Sequence, residues 1–499
     1  MVFLRSPRRR RRCAVPALLL TLPALLVPVG GAAASHRQRT IFDATSSLLT
    51  VGPKARSARL DELDSLGVDT LRIVLQWRSV APRPGRSRPP TGFDPANPRD
   101  YGDAFGPLDQ TIRGAVARGM RILLTPSAPI PDWASRSGHS SVADPVPKRF
   151  RQFVAALGRR YSGDFRPGGA GGNSACPALP LPCGRAAADA LPRVTFWGIW
   201  SEPNQDLFLR PQRRGGAPYS PRLYRRLFLA AQAGLAATGH RKDALLIGET
   251  APSGGRDGVD PLDFLRGALC LDRDYHRKRG CAPIRARGWS HHPYGLGLAP
   301  YQRSANPDLI NLATIGRLVH ALGKAARAGA TRGRLALYMT EYGVQSRPGD
   351  LGVSPKRQAA YLAISEYLAW RDPRIRSYGQ YLLRDDPPRY EFAFTTGLRF
   401  HSGRPKPSLR AFPLTLVARR RGGHVLLWGH VRPGTGPYRV EVRYRGRSGP
   451  SHTLRTLRTD GRGYFSLRAP YRAGRRWAAR CELSGSQALA GPYLHAFSF

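Results

Sequence analysis

The sequence predicts an α/β fold, a (β/α)8 TIM barrel followed by a small immunoglobulin-like β-sandwich. Three observations carry this expectation. Between residues 40 and 412, short apolar runs alternate with helical stretches eight times, the count of a barrel with loop insertions. Most runs are nearly continuous in apolar residues, as parallel strands buried on both faces must be. After "GRPKPSLRAF" (403–412) the helical period stops and short strands follow one another at close spacing. An open doubly wound sheet would share the alternation, but the first βα turn lacks a Gly-rich phosphate-binding fingerprint.

In order, the strand candidates are "IFDATSSLLTV" (41–51), "DTLRIVLQW" (69–77), "MRILLTPS" (120–127) and "VTFWGIW" (194–200). Next come "ALLIGE" (244–249), "GWSHHPY" (288–294), "LALYMTE" (335–341) and "SYGQYLL" (377–383). Helical stretches lie between them, such as "PKRFRQFVAALGRRY" before the fourth and "SPKRQAAYLAISEYLAW" before the eighth. The sandwich strands are "HVLLWGHV", "YRVEVRYR", "HTLRTLRT", "GYFSLRAP" and "RRWAARCEL", separated by turns such as "RPGTGP" and "TDGRG". Strict alternation in "YRVEVRYR" fits a sheet with one wet face. The domains so read are a leader at 1–34, a barrel at 35–412 and a sandwich at 413–499. No low-complexity linker parts the last two, so they are expected to pack together.

The leader has a basic start, "RSPRRRRRC", an apolar run broken by Pro16, Pro23 and Pro28, and small residues near Ala34. That is the pattern of a cleaved export signal, and the broken run argues against an integral membrane span after cleavage. A secreted or cell-surface protein is expected. The formal net charge is +46 and only seven of its 79 basic residues are lysines. The arginines are scattered rather than gathered into a module, so nucleic acid is not expected as a partner, whereas acidic glycans would suit the charge. In an oxidising compartment Cys176 with Cys183 and Cys270 with Cys281 can each close a local disulfide. Cys481 is then a buried thiol or an intermolecular link. No spacing matches a zinc ribbon, and neither metal nor cofactor is expected.

In a (β/α)8 barrel the C-terminal strand ends converge on the face where chemistry sits. Glu202 follows the fourth run and Glu341 ends the seventh. Paired carboxylates there suit glycoside hydrolysis, one giving a proton to the leaving oxygen and the other attacking the anomeric carbon or activating water. Glu249, ending the fifth run, competes as a carboxylate partner, with substrate contact or a buried ion pair as its alternatives.

These motifs resemble glycoside hydrolase clan A, with "WSEPNQDLF" nearest the "WNEPN" pattern of family 39-like enzymes. "TEYG", "LRIVLQWRSVAP", "TPSAPIPDWAS", "SHHPYG" and "GRPKPSLRAF" follow in matching places, so the resemblance spans about residues 40–412. It implies that Glu202 is the acid/base and Glu341 the nucleophile of a retaining glycosidase, whose carbohydrate substrate is expected to be an oligo- or polysaccharide. It places Arg72 at the active-site arginine, and His292 and Tyr294 at the His-x-Tyr of the sixth strand. Arg72 would keep the nucleophile ionised, Tyr294 would orient it, and an aromatic wall at Trp197 and Trp200 would desolvate the acid.

Asn204, in the turn behind Glu202, and Trp200 are candidate substrate contacts, and Trp77 and Trp133 are candidates to stack on sugar faces or simply to pack. Two departures stand out. Ser201 replaces the Asn that precedes the acid/base, where an amide would meet the sugar 2-OH. The eighth run lacks a Trp floor, which Tyr381 can replace, with Asp385 or Asp386 available to hydroxyls. His291 reads as structural. The sandwich reads either as a glycan binder or as a passive module. The competing functional class is a weak or inactive carbohydrate-binding barrel.

Overall fold

The computed structural model describes residues 38–167, 190–388, 393–483 and 488–498. The export leader and the Cys176/Cys183 pair read from sequence lie outside the described residues.

Eight parallel strands build the barrel: β1 (Arg39–Asp43), β2 (Thr70–Gln76), β3 (Arg121–Ser127), β4 (Phe196–Gly198), β5 (Ala244–Thr250), β6 (Gly288–His291), β7 (Ala336–Met339) and β8 (Ser377–Tyr381). β1 pairs with both β2 and β8, Ile41 standing opposite Thr70 and Gly379. The ring closes where Leu337 of β7 bridges Ile375. There the Leu337 N–H donates to Arg374 O (3.0 Å) and the Arg376 N–H to Leu337 O (2.8 Å).

The first strand is shorter than its apolar run predicts. It ends at Asp43, and Thr45–Leu49 is helical. Asp43 Oδ1 accepts the Thr45 N–H at 3.0 Å, a local bond that competes with the strand ladder.

Period-two alternation sorts the strand side chains. Ile41, Leu123, Phe196 and Leu246 form a buried plug inside the barrel. Their neighbours Phe42, Leu124, Trp197 and Ile247 join the larger core shared with the helices. The helix Pro147–Arg160 shows why such segments dock. Pro147 starts it, and Phe150, Phe153, Val154 and Leu157 recur at helical spacing on its buried face. Each such side chain contributes about 1.5–3 kcal/mol when fully buried.

After the helix Pro407–Ala411 the chain enters an antiparallel sandwich. One sheet holds β9 (Leu414–Arg421), β10 (His424–Val431) and β13 (Tyr464–Pro470). The other holds β11 (Arg439–Arg445), β12 (His452–Arg458), β14 (Arg476–Glu482), β15 (Ala488–Ala490) and β16 (Leu494–His495). Strand β9 escaped the sequence reading because its second half, "ARRR", is polar. Cys481 is a free buried thiol in the sandwich core, and Cys270 and Cys281 form a disulfide. Among the described residues no helix is long and apolar enough to cross a membrane.

The two units pack directly. Tyr367 and Trp370, on the helix Pro355–Trp370, meet Trp428 of β10 and Tyr464 of β13 in an aromatic cluster. Beneath it the buried Glu366 carboxylate accepts hydrogen bonds from His430 Nδ1 and Arg432 Nη2, both at 2.6 Å. Arg432 also reaches Thr40 of β1 (3.2 Å).

Gly67 completes the contact. Its φ is +70°, and a Cβ there would lie 2.5 Å from the Pro433 nitrogen. Gly67→Ala is therefore expected to cost about 2 kcal/mol or more, from left-handed strain plus a backbone clash. A urea midpoint unchanged from wild type would contradict this packing.

Candidate active site

The loops at the C-terminal ends of the strands hold a compact charge cluster around Arg72. Arg72 lies inward on β2 and is fully buried. Its Nη1 donates to Asp43 Oδ2 (2.6 Å) and, by a short bond, to Glu341 Oε1. Its Nη2 donates to Glu249 Oε2 (2.5 Å) and lies 3.4 Å from Ser201 Oγ. One guanidinium thus serves three carboxylates, which its fork of donors permits.

Glu249 reaches this cluster against the alternation of its strand. Ile247 faces the outer core, so Glu249, two residues on, should face outward too. The β5–β6 register shifts between Ile247 and Thr250, and both Gly248 (φ +116°) and Glu249 (φ +49°) are left-handed. The irregularity re-aims the carboxylate into the barrel, as bulges beside functional sites do. Gly198 makes room opposite, since a Cβ there would stand 3.3 Å from Glu249 Oε1 and closer still to Thr125 Oγ1. Of the readings open to Glu249, the structure realises the buried ion pair. Burial opposes its charge, but Arg72 and His292 overcome that and bring its pKa down to about 2.

His292 bridges the carboxylates. Burial disfavours its charge, yet Glu341, Glu202 and Glu249 together raise its pKa to about 10, so it is an imidazolium at neutral pH. Both ring nitrogens donate, Nδ1 to Glu202 Oε1 (2.9 Å) and Nε2 to Glu249 Oε2 (3.0 Å). Nδ1 also lies 3.6 Å from Glu341 Oε2. Its contribution to stability is fully present below the ordinary imidazole value and lost as pH rises through about 10. In Glu249→Gln the imidazolium loses one anionic partner, so its titration midpoint, followed by NMR of the ring carbons, is expected to fall. An unmoved midpoint would show that Glu249 does not hold the ring.

Glu341 accepts a second hydrogen bond, from the Tyr294 hydroxyl (3.1 Å). Tyr294 stacks near Tyr342 and meets Tyr381 and Phe394 edgewise or tilted. Burial pushes the Tyr294 and Tyr381 hydroxyls well up, and Glu341 pushes them further, so both keep their protons. An oxygen of Glu202 and an oxygen of Glu341 lie within 4.8 Å of each other and of His292. Within this trio His292 Nδ1 stands 2.9 Å from Glu202 Oε1 and 3.6 Å from Glu341 Oε2.

Glu202 itself sits at φ +45°, and Trp200, two residues earlier, at φ +68°. Such left-handed non-glycine residues cost about 1–3 kcal/mol each and persist where surrounding bonds overdetermine them. Here the Glu202 N–H donates to Glu249 O (2.8 Å) and the Ser201 N–H to Ser127 Oγ (3.0 Å).

Arg72, Ser201, Glu202, His292, Tyr294, Glu341 and Tyr381 therefore gather at one mouth. Four other candidates do not present themselves there. Trp77 is fully buried and stacks on Phe153 (4.8 Å, 6°). Trp133 packs edge-on against Trp77 and donates its indole N–H to Pro82 O (3.1 Å). Trp200 is fully buried against Phe150 and donates to Phe208 O (3.1 Å), so it is a core residue and no wall for Glu202. Asn204 is a loop clamp: Oδ1 accepts the Ala251 N–H (2.8 Å), and Nδ2 donates to Ser253 O and Val259 O (3.1 and 3.2 Å).

Asp385 is committed to Lys406 (2.6 Å) and to the Gly397 N–H (2.9 Å). His291 is structural, a neutral ring held between Thr250 Oγ1 and Ile310 O (both 2.8 Å), its pKa lowered by burial to about 3. Asp43 is the site residue that the sequence reading missed; its only signal was an acid two residues beyond Ile41.

No protein-family model matches the sequence, and no curated protein does. Among solved structures, a glucosidase from Croceicoccus marinus is similar over 90% of this chain and 95% of its own, at 14% identity and TM-score 0.50. A family 39 glycoside hydrolase from Bacteroides cellulosilyticus WH2 is similar over 88% and 80%, at 16% identity and TM-score 0.49. At such identity the likeness speaks for the architecture alone. By fold, the chain is similar to the glucosidase over nearly the whole of both chains.

Proposed function

We propose that the protein is an exported glycosidase that cleaves O-glycosidic bonds of a carbohydrate substrate by a retaining, two-glutamate mechanism. The observation that carries this reading is that an oxygen of Glu202 and an oxygen of Glu341 come within 4.8 Å of each other across the barrel mouth. Retaining enzymes hold their carboxyl groups about 5–5.5 Å apart, whereas inverting enzymes leave about 6.5–9.5 Å for a water. The resemblance of "WSEPN" and "TEYG" to clan A motifs assigns the same two residues.

The partners of each carboxylate fit its role. Glu341, held by Arg72 and Tyr294, is oriented to act as the nucleophile. It attacks the anomeric carbon while Glu202 gives a proton to the departing oxygen, leaving a glycosyl ester on Glu341. Glu202 then takes a proton from water, the water oxygen attacks the anomeric carbon, and Glu341 leaves as carboxylate. His292, hydrogen-bonded to Glu202, is placed to stabilise its ionised form between the two steps. Ser201, beside Arg72, offers a hydroxyl where an amide would meet the sugar 2-OH.

The test is a panel of glycosides in both anomeric forms, with the first-formed product followed by NMR. Retained configuration at the anomeric carbon is expected. Inversion would remove the nucleophile role from Glu341, and absence of turnover across the panel would favour a carbohydrate-binding barrel without catalysis.

A further inference from the structure

Beside Glu202 the mouth opens into a cavity of about 180 Å³. Its walls are Ala251 and Pro252 after β5, Leu296 and Leu298 after β6, and Val344 and Leu351 after β7, with Tyr294 and Phe394 on one flank. We infer that this cavity takes an apolar, ring-sized aglycone, so that the substrate is a glycoside of an aromatic or alicyclic alcohol rather than a longer sugar chain. The inference rests on the glycosidase reading above and deepens it.

Position is the first argument. Glu202 lines the cavity, whereas Glu341 does not. A retaining acid protonates the leaving oxygen on its own side of the sugar, opposite the nucleophile. Whatever is bonded to that oxygen must then continue past Glu202 into this space.

Lining chemistry is the second. A sugar in this place would need convergent donors and acceptors, because each hydroxyl stripped of water without a partner is costly. One end of each of the cavity's two amides is already engaged. Gln205 Nε2 donates to Ser253 O, and Gln345 Oε1 accepts from the Thr395 N–H and hydroxyl (2.6 and 2.8 Å).

Size and rim supply the third. An apolar cavity of about 150 Å³ holds a benzene, so 180 Å³ suits one ring. Leu296 and Leu351 are 52% and 54% exposed at the rim, and a Cβ on Gly297 would stand 3.6 Å from Leu351 Cδ2. The β6 and β7 loops thus meet over the cavity through apolar groups that gain burial only when something apolar lies beneath them.

The experiment compares benzyl and methyl glycosides of the common pentoses and hexoses, whose leaving alcohols have similar basicity. For the sugar that is turned over, benzyl is expected to improve kcat/KM by about tenfold to a hundredfold, the gain from burying one such ring. Leu351→Asp should collapse the benzyl-to-methyl ratio toward one; the side chain is half exposed, and a melting temperature within a degree or two of wild type confirms its folding. Equal rates for benzyl and methyl partners, or a preference for disaccharides of the same sugar, would overturn the inference. Calorimetric binding of the same pairs to Glu341→Gln separates the two readings. Tighter benzyl binding without turnover by the wild type would sink catalysis and keep the pocket, whereas turnover without benzyl preference would do the reverse.

Discussion

Glu341→Ala is expected to lower kcat by at least about 10⁴-fold on any substrate the wild type cleaves, because no other group can form the covalent intermediate. Glu202 would remain able to protonate a leaving group, so the defect should be repairable from outside. Azide, small enough to enter the space vacated by the carboxylate, can attack the anomeric carbon directly and yield a glycosyl azide of inverted configuration. Rescue with inversion would assign the nucleophile independently of the rate loss. Residual activity within tenfold of wild type would remove Glu341 from the mechanism. The substitution also takes one anion from Arg72, which keeps Asp43 and Glu249 as partners. The fold is therefore expected to survive, and the loss is one of chemistry.

Glu366→Ala should do the opposite, sparing the mouth and undermining the scaffold. Its carboxylate is buried between Arg432 and His430, and removing it strands the Arg432 charge without its anion. Breaking a buried pair from one side costs about 3–5 kcal/mol, readable as a lowered urea midpoint. Glu366→Gln, which still accepts a hydrogen bond, should lose less.

The acid limb of stability follows from the same group. Burial opposes the Glu366 charge, but Arg432 and His430 overcome this and lower its pKa to about 2. Its contribution is thus present above the ordinary carboxylate value near 4.3 and lost as pH falls toward about 2. Wild type and Glu366→Ala should therefore converge in stability at low pH. A gap that stayed constant down to pH 2 would show that the charge is not what Glu366 contributes.

The barrel was legible because burial on both faces writes itself into sequence as repeated apolar runs. Glu202 and Glu341 were legible because each interrupts such a run at a strand end. Glu249 was harder: strand alternation points its side chain away from the mouth, and only the left-handed backbone at Gly248 and Glu249 turns it back. A single sequence carries no mark of that bulge beyond one glycine. The tryptophans misled for the converse reason. Trp77, Trp133 and Trp200 lie near strand ends, where a sugar platform would also lie. An aromatic ring on the outer face of a strand has the same one-letter signature as one at the mouth. Asn204 misled too, since its backbone-bonding amide serves loops set far away in sequence. The apolar cavity beside Glu202 escaped notice altogether, because its walls come from three separate loops with no shared motif.

Thr40 and Gly67, which the sandwich touches through Arg432 and Pro433, stand at the strand-entry end of the barrel, while Asp43, Glu202 and Glu341 stand at the exit end. The contacts that Arg432 and Pro433 make thus lie at the end of the barrel opposite the charge cluster around Arg72. The sandwich ties the start of β1 to the helix preceding β8, the two chain regions that any closed ring must bring together. In the language of protein engineering it is a buckle rather than a grip. A barrel cut from it would lose the fastening of its own seam, and a foreign module fused in its place would have to reproduce the socket at Glu366 and Gly67, not merely the length of a linker.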